Sequence, residues 1–193
     1  ITLCHNGNND ICDSARGEAE WNGLSPFGKD VIRKMNELGI LVDISHAAES
    51  TFYDALETSA YPIIASHSSA RALCNHPRNL TDEQLKALAA QGGVVQVCLY
   101  KGFINEDAEK ASLSDAIRHI THIVDLIGIH HVGIGSDFDG DGELIGCRAS
   151  NELINITVRL IKEGYTENDI AKIWGGNLLR VMNKAQSASN NKI

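Results

Sequence analysis

The chain has 193 residues, 43% of them apolar, and a formal net charge of −8. That composition fits one globular domain with a sizeable core and excludes a disordered chain. Its 17 Lys and Arg residues form no cluster, which argues against nucleic acid and anionic membrane surfaces as partners, and no apolar stretch reaches the length of a bilayer span.

Residues 1–5 read as the end of a buried strand closing on His5. Residues 6–24 are rich in Gly, Asn and Asp and read as a loop. Ser25-Pro26 is a helix start, with serine as cap and proline in the first turn. Phe27, Val31, Ile32, Met35 and Leu38 follow at helical spacing, and Gly39 ends the run. Residues 41–46 form an apolar run ending in Ser45-His46. After a short helix over 49–59, residues 62–68 repeat the design and present Ser66-His67. A loop over 69–80 carries His76, Pro77, Arg78 and Asn79. Thr81 to Gln84 has the form of a capping box, and its helix runs to Ala90. Residues 94–98 are the next strand. Residues 101–111 read as polar linker, and 114–127 as an amphipathic helix with Ile117, Ile120, Val124 and Ile127 on one stripe. The strand over 131–137 closes on Asp137. Helices are expected over 150–163 and 166–174, and a last one through Met182. Residues 1–185 are taken as one unit and 186–193 as a frayed polar tail.

Strands therefore alternate with helices, which is the pattern of an α/β fold with a parallel sheet. Five strands are too few to close an eight-stranded barrel. An open sheet or part of a (β/α)8 barrel, a partial TIM barrel, is expected. Five cysteines at irregular spacing, without a CxxC pair, read as buried free thiols.

Four strand ends present a ligand or acid–base residue: His5, His46, His67 and Asp137. Loops after parallel strands converge on one face, so these side chains can approach one another. Two Ser-His strand ends in successive units are better explained as a metal pair than as two core histidines. Arg78, in the loop after His67, could hold a carboxylate by paired hydrogen bonds. His119 and His122 are placed on the polar side of their helix and weigh less. Asp137 to Gly142 matches the first half of a calcium loop. Its twelfth position is Arg148 instead of Glu, and a strand precedes it, so that assignment is rejected.

Taken in order, His5-Asn6, the run from Gly23 to Gly28, Val42 to His46, Ser66-His67-Ser68, His76 to Asn79 and the run from Gly135 to Gly140 resemble the zinc-dependent membrane (renal) dipeptidase family. The resemblance runs from Ile1 to about Met182. It implies strands four to eight of a (β/α)8 barrel and hydrolysis of dipeptides by a metal-bound hydroxide at a two-zinc site. By that resemblance His46 and His67 would be ligands of one zinc. His5 would contact substrate and stabilise the tetrahedral intermediate, Arg78 would bind the dipeptide's terminal carboxylate, and Asp137 would carry the proton to the leaving amine. The family's His-x-Asp pair and bridging Glu have no counterpart in this chain. The chain alone is therefore expected to be inactive, with the remainder of the barrel or a second copy as partner. Two alternatives are carried forward. One is another amidohydrolase-type metal hydrolase on the same barrel; the other is a non-catalytic half-barrel that binds or assembles. Imidazole and carboxylate donors also suit manganese, cobalt or iron. The compartment is not assigned.

Overall fold

Helix boundaries follow the local signals closely. The computed structural model describes residues 1–190. Helix α1 (Pro26–Glu37) opens with the Ser25 hydroxyl accepting from the Gly28 N–H, and Gly39 behind it adopts φ 68°. Helix α2 spans Glu49–Thr58. Helix α3 (Asp82–Ala90) has both halves of the capping box: the Thr81 hydroxyl accepts from Gln84 N–H, and Gln84 Oε1 accepts from Thr81 N–H. The stretch expected to be polar linker is partly helical. It holds the single turn α4 (Lys101–Ile104) and a 3-10 turn at Ala108–Lys110. Helix α5 (Leu113–Ile127) starts where Asp115 accepts from the Ser112 N–H and hydroxyl, and ends at Gly128 with φ 88°.

Three strands form a parallel sheet in sequence order: β1 (Ile64–Ala65), β2 (Val94–Cys98) and β3 (Val132–Ser136). The two earlier apolar runs extend it on the β1 side, through single parallel bridges rather than full ladders. Asp43 bridges to Ile64, and Thr2 bridges to Asp43. Four backbone bonds make these joins: Ile44 N–H to Ile64 O, Ile64 N–H to Val42 O, Leu3 N–H to Asp43 O and Asp43 N–H to Ile1 O. Five parallel runs thus lie side by side in chain order with helices between them, and the sheet does not close. Their carboxyl ends share one face, as in part of a (β/α) barrel.

Helices α6 (Ile154–Lys162) and α7 (Glu167–Ala171) follow β3. A π-helical turn over Lys172–Gly176 leads into α8 (Asn177–Asn190), so the expected single helix over 166–174 is broken. Helix α8 thus runs into the stretch expected as a polar tail over 186–193, of which residues 191–193 lie outside the described residues. Alternation along the strands divides the core. Ile63, Ala65 and Val95 join the main cluster with Phe52, Leu85 and Ile120. Ile64 and Val94 face the other way and pack with Val181 of α8. The five cysteines are free and buried, as expected. No helix among the described residues is long and apolar enough to cross a membrane.

Candidate active site

Asp43 sits where three runs of chain meet, and it accounts for the local geometry. Its buried carboxylate accepts from the hydroxyls of Thr2 and Ser66, each at 2.6 Å, and from the backbone N–H groups of Ser45 and Ser66. Burial pushes this carboxyl up, and those hydrogen bonds outweigh it, so its pKa lies below the usual value. Because Ser66 Oγ spends its proton on Asp43, it accepts from His67 Nδ1 at 2.8 Å. That relay leaves the lone pair of His67 on Nε2. His67 N–H donates to Ser45 Oγ, which fixes the second strand end against the first.

His67 Nε2 lies 2.8 Å from His46 Nε2. His46 has φ 71°, a left-handed conformation that costs a non-glycine residue energy and turns its ring across the strand ends. Its Nδ1 is buried without a partner. Burial first, then the Arg78 charge, lowers His46 to about 3 and His67 below its ordinary value. Both rings are therefore neutral, the form in which imidazole binds a metal. The His5 ring stacks at 4.4 Å from His46, tilted by 46°.

Asp137 follows β3 with φ 72°, and Ser136 before it has φ 28°. This second strained strand end swings the carboxylate toward the histidines. Cys98 Sγ donates to Asp137 Oδ2 at 3.5 Å, and burial pushes the thiol up to about 12, so it stays protonated. His5, His46, His67 and Asp137 line one cavity of about 710 Å³, with Tyr100 and Phe103 on its apolar wall.

Arg78 is placed differently. It is only 3% exposed, buried rather than on the surface. Its Nη2 donates to His67 O, its guanidinium lies 5.3 Å from the Phe103 ring centre, and its Nε is buried without a partner. Burial lowers its pKa, and the nearby Cys98, Asp137 and Asp43 act in the other direction. It stands behind the cavity wall.

The two Nε2 atoms suit a shared cation as a pair of donors. His46 Nδ1 lacks a partner in either case, as an acceptor if Nε2 carries the proton and as a donor if both Nε2 lone pairs face a cation, so the donor type of the two neutral rings is what suits a metal. Among the described residues, no group of three or more His, Cys, Asp and Glu side chains is placed to hold a metal. The imidazole pair fits a metal and needs donors beyond itself.

His119 corrects the sequence reading. It is fully buried, accepts from Ala70 N–H through Nδ1, and faces Ile104 O through Nε2. It joins the loop after β1 to α4 and is structural. His122 pairs with Asp82. Sequence reasoning missed Asp43, although the Asp-x-Ser-His spacing carries it. It also missed Tyr100 and Arg16, for which composition gives no signal.

An open parallel α/β sheet whose strand ends gather imidazoles and a carboxylate around one cavity has the form of a partial (β/α) barrel. The family model for membrane dipeptidase (peptidase family M19) matches residues 1–192. Dipeptidase tcpJ of Claviceps purpurea is 37% identical over 191 residues, covering 98% of this chain and 45% of that protein. The probable dipeptidase PvdM from Pseudomonas aeruginosa superposes with TM-score 0.94 at 29% identity, over 97% of this chain and 62% of that one. A metallo peptidase from Rhodobacter sphaeroides, liganded with a phosphinate mimic of the dipeptide L-Ala-D-Ala, gives TM-score 0.82 at 30% identity, over 89% and 49%. The chain belongs to the membrane dipeptidase family, M19. It spans about half the length of the curated relatives it matches.

Proposed function

We propose that this chain carries part of the site of a metal-dependent dipeptidase. The observation that carries the proposal is the meeting of two neutral imidazoles, His46 and His67, at 2.8 Å on the wall of a cavity that also exposes His5 and Asp137. His46 and His67 would hold one zinc of a two-zinc site. When bound, zinc supplies a water acidic enough to attack at neutral pH and polarises the scissile carbonyl.

The chain's own groups do the rest. Asp43, through Ser66, keeps His67 in the tautomer that leaves Nε2 free. Asp137 takes the proton released as the water oxygen bonds to the carbonyl carbon. It returns that proton to the nitrogen as the C–N bond breaks. His5, beside His46, donates to the oxyanion of the tetrahedral intermediate. Arg78 supplies positive charge for the substrate's terminal carboxylate.

The test uses the full-length protein. Metal content is measured by elemental analysis, and hydrolysis is followed on free dipeptides and their C-terminal amides. Two zinc ions per site, a preference for the free acid, and loss of one zinc in His46→Ala are expected. A metal-replete protein that leaves dipeptides intact but opens cyclic amides or lactones would replace this proposal with the amidohydrolase alternative. One that binds no metal and hydrolyses neither would leave the non-catalytic module.

A further inference from the structure

Two thiols beside the reacting centre take no part in the chemistry above. Cys4 directly precedes His5, and Cys12 lies on the loop that folds back against that strand end. Asn9 makes the loop fold back. Its Oδ1 accepts from the N–H groups of Ile11 and Cys12, its own N–H donates to Cys12 O, and its Nδ2 donates to Leu3 O, next to Cys4 in the chain. One side chain thus ties the backbone of Cys12 to the run that carries Cys4. Across this tie the two thiols hydrogen-bond each other. Cys4 Sγ also lies 3.9 Å from the carbonyl oxygen of Asp13, which follows Cys12.

The two sulfurs are not equivalent. Cys4 lines the cavity of about 710 Å³ with His5, His46, His67 and Asp137, whereas Cys12 is fully buried and does not line it. The hydrogen bond from Cys12 holds Cys4 below the ordinary thiol value against its burial, and the Arg78 charge acts the same way. The same bond, and then burial, pushes Cys12 up. The thiol that ionises more readily and meets the cavity is the one a small oxidant reaches first. Its neighbour keeps its proton and stands in contact behind it.

We propose that Cys4 and Cys12 close to a reversible disulfide when a hydroperoxide enters the cavity, and that this bond turns the hydrolytic site off. The bond itself follows from the thiol contact; its effect on hydrolysis rests on the dipeptidase proposal. With hydrogen peroxide, the Cys4 sulfur attacks one oxygen and the O–O bond breaks. The second oxygen leaves as water with the Cys4 proton, and Cys4 becomes a sulfenic acid. The Cys12 sulfur then bonds to the Cys4 sulfur, and the sulfenic hydroxyl leaves as water with the Cys12 proton. Both sulfurs are oxidised, one peroxide is reduced to two waters, and the protein loses two hydrogens. A thiol reductant restores both thiols by exchange. An S–S bond of about 2.0 Å is shorter than a hydrogen-bonded thiol pair, so its closure draws the loop and the strand end together. The Ser14 hydroxyl, two residues beyond Cys12, lies 2.8 Å from His5 O and 3.3 Å from His46 O, so the pull passes to the backbone of both histidines.

The test treats the reduced, metal-replete full-length protein with hydrogen peroxide and reads peptide masses and dipeptide hydrolysis. Wild type should lose two hydrogens within the peptide that holds Cys4 and Cys12. Its kcat should fall about 10- to 100-fold, as for displacement of a reacting group by about 1 Å. Dithiothreitol should restore both readings. In Cys12→Ser, Cys4 should stop at the sulfenic acid and be trapped by dimedone. Cys4→Ser should lose no hydrogens and keep its own starting activity through the treatment. Free thiols at both positions after peroxide, or Cys4 oxidised in wild type without a bridge, overturns the pair. A bridge that leaves kcat unchanged overturns the switch. Wild type inert before any peroxide removes the dipeptidase proposal, and the mass change still decides the pair. If Cys12→Ser does not fold, the wild-type peptide mass and Cys4→Ser decide without it.

Discussion

Asp43→Asn separates the hydrogen-bond hub from the rest of the core, because it changes one atom and almost no volume. The carboxylate accepts four hydrogen bonds, two from hydroxyls and two from backbone N–H groups. Asparagine can still accept the two backbone bonds through its oxygen. Its NH2 then faces the Thr2 and Ser66 hydroxyls, which have been donating. A hydrogen bond to a charged group is worth about 1.5–3 kcal/mol. Since both hydroxyls can turn and accept, a net loss of about 2–4 kcal/mol is expected. For a domain of this size that lowers Tm by about 4–16 °C. A second effect follows through Ser66. Once its proton is no longer drawn to Asp43, Ser66 can donate to His67 Nδ1, which puts the His67 proton on Nε2. Metal affinity should then fall about 10- to 100-fold, the usual cost of losing an outer-shell partner. The pH dependence has a definite sign. Asp43 titrates below its unfolded value, so its stabilisation is present above about pH 4 and is lost as pH falls through the folded pKa. Wild type and Asp43→Asn should therefore converge in acid. Thermal unfolding and metal titration against a competing chelator measure both effects, with the exposed Asp30→Asn as control. A Tm within about 1 °C of wild type at pH 7, with unchanged metal affinity, would refute the relay.

His119 is buried as the neutral ring and titrates at about 4, chiefly through burial. Its unfolded form protonates near 6.5, so stability is complete above that pH and declines toward pH 4, by about 3 kcal/mol in all. His119→Gln should flatten that part of the stability–pH curve in urea unfolding, and an unchanged slope counts against a neutral buried ring. At Gly135 an added Cβ would lie 2.3 Å from Ser66 O and 2.8 Å from Gln96 O, both backbone. Gly135→Ala should cost about 1–3 kcal/mol and displace the strand that carries Asp137, seen as a kcat loss larger than that of an equally destabilised variant. Thr81→Ala removes half of a capping box far from the cavity. It should lower stability by about 1 kcal/mol in urea unfolding and leave kcat/KM unchanged.

The elements with local causes were legible in the sequence. Ser25-Pro26, the Thr81 to Gln84 box, Gly39 and Gly128 set helix ends by short-range chemistry, and the structure follows them. The strand ends bearing His5, His46, His67 and Asp137 were legible because parallel topology sends them to one face. What escaped depends on tertiary context. His119 looks polar on a helical wheel, but α4 and the loop after β1 cover it, and both of its ring nitrogens find backbone partners there. Arg78 looks like a surface cation, but the Phe103 ring and His67 O bury it. The positive φ values at His46 and Asp137 have no residue signature, since neither residue is glycine. These strained positions aim both side chains, and strain of that kind persists only where surrounding contacts enforce it.

The open sheet bears on the proposed metal site, to which this chain brings two imidazoles. Thr2 and His5 belong to the outermost run on one side, and Asp137 ends the outermost strand on the other. The His46–His67 pair lies between them. Any further parallel strands closing the sheet would run from the edge beyond β3 round to the edge beyond residues 1–3. Their carboxyl ends would arrive on the same face as the imidazoles. That is where additional donors can reach the pair, and two imidazoles fall short of the three protein ligands usual in catalytic zinc sites. The 193-residue chain by itself should therefore bind zinc at least about 100-fold more weakly than the full-length protein and show no dipeptidase activity above background. Competition titration with a chromophoric chelator, run beside a dipeptide assay, measures both. Zinc affinity and turnover in the isolated chain equal to those of the full-length protein would mean that His46, His67 and solvent suffice, and the incomplete-site argument would be wrong.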